Sequence, residues 1–513
     1  MLFFVAIAGA TSPTPADAQV HDQLLALVER STELGCLTPL VGQIRLNAAL
    51  FSATERAHIS ATLSPAGVDL FDEAPVMPAA PPAAAPPPAR DSCWSWSDNR
   101  VVGDHFVVEW ADGVDDADAD RFLEDLEYSW QIEVEEKNWD APDGADNYLI
   151  VAYIQNERTG GAYTTVKSCG GDYIPYIVSG KDSWDDPKWG ATMAAHEFNH
   201  AIQFGYSYAP EFWWWEATAT WVEDYVFPDT NDWSDYVWGY SANPYIAFAA
   251  SDQQDQEIFW HMYGMAIWAF YLDDYQGGHD TVQQTWEDAR SDRGQYSRSA
   301  EDMVDDLGLD WLTLYNDFVA RNTVMEYKQQ SYFPAVDVHD TVKSLPDDGG
   351  SGNSDTPQGY GQNYVKFNEG MGEGDLVLHF AGSDKTEWSV QLVETSKYAV
   401  TRVVTAKTED GAADVTLTGY GKQDVYLVVS PLTERDDDFD YEWTAELIEV
   451  EEPEDTGTPS IDDTGAGGDP VGGGPVEISG PVACGCAATE PGAAAAGAAV
   501  IAALIAGRRR STP

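Results

Sequence analysis

His196-Glu197-Phe198-Asn199-His200 is an H-E-x-x-H motif inside an apolar, helix-compatible run over 191–204. At about 3.6 residues per turn the two imidazoles lie one turn apart on one helix face, so both can reach one metal ion. Glu197 points slightly around that face, where it can take a proton from a water polarised by the ion. Catalytic zinc needs a third protein ligand and an open fourth position. The stretch 213–224 supplies a candidate, because Glu216 and Glu223 are seven residues apart and share a helix face. A second helix antiparallel to the first could aim Glu216 at the metal. Glu223, two turns on, could then support a ligand histidine from behind. An acid in so apolar a run is costly unless it is paired or ligating.

This spacing resembles that of the gluzincin metallopeptidases, including the aminopeptidase-N-type and peptidase-MA-like families, whose motif continues W-x-x-E-G-x-A-x-Y-x-E. His196, Glu197, His200, Trp213, Glu216, Ala219 and Glu223 match it, whereas Ala217 replaces the usual Gly and Trp221 the usual Tyr. The resemblance covers roughly residues 95–325. It implies a thermolysin-like catalytic domain, zinc held by His196, His200 and Glu216, and Glu197 as general base and acid. The gap from His200 to Glu216 is shorter than in the aminopeptidases and points to the peptidase-MA-like side. Aminopeptidase-N-type enzymes also carry Y-x-K-G, whose tyrosine hydrogen-bonds the tetrahedral oxyanion. In the run 258–268, His261 stands at that tyrosine's place and Tyr263 two residues on, and either could serve. The G-x-M-E-N strand that grips a substrate amine is not found. The strand 171–178 contains Pro175, which lacks a ladder donor, and so reads as an edge strand able to add an extended peptide. Both points favour an endopeptidase over an aminopeptidase.

The elements that must position these residues read as an α+β fold. Strands are expected over 105–110 and 147–154, and a helix over 120–134 with one apolar side. Helices over 260–275, 281–290 and 309–321 would form the other wall of a cleft. Past residue 330 short alternating strands separated by turn-rich breaks imply an all-β sandwich, similar to accessory domains of secreted bacterial proteases. The expected organisation is a signal peptide (1–18), a helical pro-region or stalk (19–73), a Pro/Ala-rich linker (74–92), the metallopeptidase domain (93–328), the β-sandwich (329–450), an acidic disordered stalk (451–483) and a C-terminal segment (484–513). Asp436-Asp437-Asp438 could bind calcium, although a solvated charge run is the commoner state of such a triplet.

The chain has 513 residues, with 87 acidic side chains against 27 basic ones, a formal charge of −60. Nucleic acid and anionic membranes would be repelled; a protein or peptide substrate is the partner that the metallopeptidase resemblance implies. Acidity spread along the whole chain fits a salt-rich setting, where ions screen self-repulsion. Residues 2–10 are apolar and Ala16-Asp17-Ala18 resembles a cleavage site, implying export. Cys484-Gly485-Cys486, the alanine-rich run 492–507 and Arg508-Arg509-Arg510 resemble a myxobacterial-type C-terminal sorting tag. That likeness implies cell-surface display or secretion, with membrane contact only through this segment; a plain tail anchor is the alternative. In an exported chain Cys93 and Cys169 are the favoured disulfide pair. Cys36 is left as structural, unpaired or a thiolate cap on the zinc of a latent form. The expected function is a secreted or surface zinc endopeptidase. A non-enzymatic adhesin with a structural metal site and a zinc aminopeptidase are the alternatives.

Overall fold

The computed structural model describes residues 15–31, 37–64, 70–71, 91–156, 161–170, 172–207, 210–252, 255–290, 298–352 and 354–449. Cys36, most of the expected signal peptide, most of the Pro/Ala-rich linker, the acidic stalk and the C-terminal segment lie outside them. All described residues fall in one compact unit, Met1–Glu451. The architecture is mixed α+β.

Three helices open the chain: α1 (Pro15–Glu29), α2 (Thr38–Leu46) and α3 (Ala53–Leu63). Ser52 and Glu55 form a reciprocal capping box at the start of α3. The backbone of α1 runs through Ala16-Asp17-Ala18. Leu24, Val28, Leu40, Val41, Ile44 and Leu63 are buried in the same apolar cluster as Phe198 and Trp213, so this module packs onto the central body.

The central sheet comprises β1 (Asp91–Ser92), β2 (Arg100–Val102), β3 (Phe106–Trp110), β4 (Tyr148–Gln155), β5 (Ala162–Cys169) and β6 (Asp172–Gly180). Its order is β2-β3-β4-β6-β5, with β1 also pairing β4. β4 runs parallel to β3 and β6, while β2 and β5 are antiparallel to their neighbours. The strand carrying Pro175 is therefore not the edge: β6 lies between β4 and β5. It tolerates proline because pairing to β4 begins at Tyr176, one residue later. The outer strands are β2 and β5, and Cys169, at the end of β5, forms a disulfide with Cys93, their Cα atoms 6.2 Å apart.

Helix α4 (Asp116–Trp130), capped by Asp115, buries Phe122, Leu126 and Trp130, and the turn Gln131–Glu136 continues it with π-helical geometry. Helix α5 (Pro187–Tyr206) begins with Asp186 accepting from the Lys188 amide and with Pro187 at its first position, a strong helix start. The helical side of the molecule contains α6 (Phe212–Val226), α7 (Trp233–Ala242), α8 (Gln256–Gly264), α9 (Ala266–Tyr275), α10 (His279–Ala289), α11 (Ala300–Asp306) and α12 (Trp311–Asn322). The single helix expected over 260–275 is thus two, broken at Met265. A side chain at Gly239 would meet the Trp260 carbonyl at 2.0 Å and one at Gly264 the Tyr240 amide at 2.3 Å, so these glycines let α7 and α8 touch backbone to backbone.

Residues 340–448 form nine strands: β7 (Asp340–Val342), β8 (Asp347–Gly350), β9 (Asn363–Phe367), β10 (Gly374–Gly382), β11 (Trp388–Thr395), β12 (Val400–Lys407), β13 (Ala412–Tyr420), β14 (Asp424–Pro431) and β15 (Tyr441–Ile448). They make a four-stranded sheet, β13-β10-β15-β8, and a five-stranded one, β12-β11-β14-β9-β7. Leu376, Leu378 and Trp443 of the first and Val390, Leu392 and Leu427 of the second share one buried cluster.

Candidate metal centre and active site

The motif residues lie in the middle of α5, where His196, Glu197 and His200 are all buried. Helix α6 runs antiparallel beside it, since His196 meets Glu223 and Glu216 while Gln203 reaches back to Trp215. His196 Nε2 is 3.2 Å from Glu216 Oε2, and His200 Nε2 is 3.4 Å from Glu216 Oε1. Ligand atoms of His196, His200 and Glu216 lie within 4.8 Å of one another, and among the described residues this is the one such group that could hold a metal ion. Asp436, Asp437 and Asp438 do not come together in this way: Asp437 pairs with Arg435, and Asp438 accepts from Gln358.

The far sides of the imidazoles decide what the near sides can do. Glu223 Oε1 lies 2.8 Å from His196 Nδ1, and Gln203 Oε1 lies 2.7 Å from His200 Nδ1. Gln203 is oriented by its own donations to Asn199 Oδ1 and the Trp215 carbonyl, so its oxygen faces the ring. Both Nδ1 atoms therefore donate, and in the neutral rings both Nε2 atoms carry lone pairs turned towards Glu216. Glu216 Oε1 is buried without a hydrogen bond. Three lone-pair donors converging on one buried point suit a cation. Burial alone would raise the Glu216 carboxyl; without an ion, protonated His200 and His196 rings donating through Nε2 would outweigh it and hold it at about 2. Burial pushes Glu223 up to about 8, against the bond from His196. Behind the motif, Asn199 donates to Glu133 Oε2 at 3.0 Å.

A cavity of about 190 Å³ opens beside the group, lined in part by Ala162, His196, Glu197, Glu223, Tyr236 and Tyr263. The two tyrosine-position candidates separate here. Tyr263 faces this cavity, its ring 6.1 Å from that of His196. His261, on the same helix, does not line it. It packs near Tyr240, neither ring nitrogen has a hydrogen-bond partner, and burial pulls its pKa down to about 3. Tyr236, from α7, completes the wall and takes a 3.4 Å bond from Trp189.

Glu197 is held by groups distant in sequence. Its Oε2 accepts from Thr164 Oγ1 on β5 at 2.7 Å and from Thr38 Oγ1 on α2 at 3.3 Å. Neither Thr164, Thr38, Gln203 nor Tyr236 stands out in the sequence. Gln203 alone carried a local signal, lying three residues past His200 on the same helix face. Comparison with known protein families and with curated proteins returns no match.

Proposed function

We propose that the chain is a zinc-dependent endopeptidase of the gluzincin type, in which His196, His200 and Glu216 hold the ion. The carrying observation is that both ligand imidazoles have Nδ1 tied to an acceptor while Nε2 faces a buried carboxylate, at the wall of a cavity that also contains Glu197. On this reading residues 93–328 are the thermolysin-like catalytic domain and residues 329–450 a β-sandwich accessory domain. Export to a surface or to the medium is consistent with the Cys93–Cys169 pair. Zinc at this position supplies Lewis-acid polarisation of the scissile carbonyl and lowers the pKa of the attacking water. Glu197 takes one proton as the water oxygen bonds to the carbonyl carbon, then delivers it to the amide nitrogen as the C–N bond breaks. On this reading the Tyr263 hydroxyl would donate to the oxyanion.

Only three protein groups converge, and one of them, His196, lines the cavity beside Glu197, which favours a catalytic over a closed structural site. The acids that line the cavity, Glu197 and Glu223, are engaged with threonine hydroxyls and with His196. That wall thus dedicates no carboxylate to a substrate amine, which supports the endopeptidase reading. The test pairs two variants. Glu216→Ala should lose stoichiometric zinc by elemental analysis. Glu197→Gln should keep the zinc and lower kcat on a peptide library about 10²–10⁴-fold. Unchanged zinc in Glu216→Ala, or near-normal turnover in Glu197→Gln, would overturn the assignment.

A further inference from the structure

β5 is an outer strand of the sheet, yet its outward backbone groups are taken. The Ala162 carbonyl accepts from the Leu37 amide at 2.8 Å, and the Thr164 amide donates to Thr38 Oγ1 at 2.8 Å. Two residues on, the Val166 carbonyl accepts from Arg45 Nη1 at 2.6 Å. Alternate residues 162, 164 and 166 present one side of a strand, and these are the groups that an extended peptide adding to β5 must use. Thr38 also donates to Glu197 Oε2. One residue of α2 thus ties the sheet edge to the group that must collect a proton. The contact is packed as well as hydrogen-bonded. Leu37, Leu40, Val41 and Ile44 are fully buried, and a side chain at Gly42 would meet the Phe212 ring at 3.0 Å. The Tyr163 hydroxyl bonds the Leu63 carbonyl at the end of α3.

We propose that residues 37–63 are a built-in inhibitor, occupying the peptide-binding edge of β5 and engaging Glu197, so that the intact chain is latent. This rests on the peptidase reading above. Substrate and N-terminal module then compete for one surface, and the observed rate scales with the fraction of molecules in which α2 has left. Arg45 and Thr38 act by holding the module in place and take no part in the reaction.

The test uses the zinc-loaded full chain with a site-specific protease sequence inserted between Ala79 and Ala85, assayed on a peptide pool before and after cutting. Cutting should raise kcat/KM at least about tenfold and speed hydrogen exchange at the Thr164 amide. In the uncut chain, Thr38→Val and Arg45→Ala should each give part of that rise. Equal kcat/KM before and after cutting, at equal zinc content, overturns the proposal. Should the cut chain lose its near-ultraviolet dichroism, the uncut Thr38→Val and Arg45→Ala variants decide, and no rise in either overturns it. A chain that cleaves nothing in any form while its Thr164 amide opens on cutting would sink the peptidase reading and still support occupation of the edge.

Discussion

Single residues at this site act through the atoms behind them. Gln203 is the clearest case, since its carbonyl fixes the His200 tautomer while its amide is held by Asn199 and the Trp215 carbonyl. Gln203→Leu keeps the volume and removes the acceptor, so zinc affinity should fall about 10–100-fold in competitive chelator titrations, with α5 intact by circular dichroism. An unchanged affinity would mean that His200 needs no such anchor. The H-E-x-x-H motif and the pair Glu216 and Glu223 were legible because helix periodicity alone brings them to one face. Thr164 and Thr38 were not, because they reach Glu197 across 33 and 159 residues through sheet topology, which no local pattern encodes. His261 and Tyr263 were indistinguishable in sequence; the direction of each side chain from α8 separates them.

Elements were read well where one period dominates and badly where packing overrides it. Helix α4 and the strands β3, β4 and β14 have buried faces that announce themselves. Strand β12 is weakly marked in sequence because its half-buried side carries Arg402 and its exposed side Val403, which blurs the apolar alternation. Pro175 misled because proline is excluded from a ladder only where its partner pairs, and β4 pairs one residue later. Helix α4 also carries a titration. Burial pushes Asp125 up to about 7, and Glu124 pushes the same way against Arg121. The native protein therefore keeps a proton there that an unfolded carboxyl releases near pH ~4. That contribution to stability is complete below pH ~4 and is lost as pH rises through about 7. Asp125→Asn removes it, so the urea midpoint of the variant relative to the parent should climb between pH ~4 and ~8. A pH-independent difference would show that Asp125 is ionised throughout.

At the scale of the molecule, composition foretold charge behaviour but not how the pieces dock. With a formal charge of −60, self-repulsion opposes the compact state, and salt relieves it. The melting temperature should rise by several degrees from dilute buffer to about 1 M salt, and a flat response by calorimetry would remove the argument. The N-terminal helices were legible as helices, but their shared core with the central body was not, because amphipathic faces do not name their partners. The disulfide has a final consequence for this arrangement. Cys93 and Cys169 are joined to each other, both on the far side of residues 72–90 from the helical module. A single backbone cut in that stretch would leave the described parts of the two fragments with no covalent link. Association would then change from unimolecular to bimolecular, and the high local concentration imposed by the tether would vanish. Dilution would then favour separation, and the fraction of molecules with a covered β5 edge would depend on protein concentration.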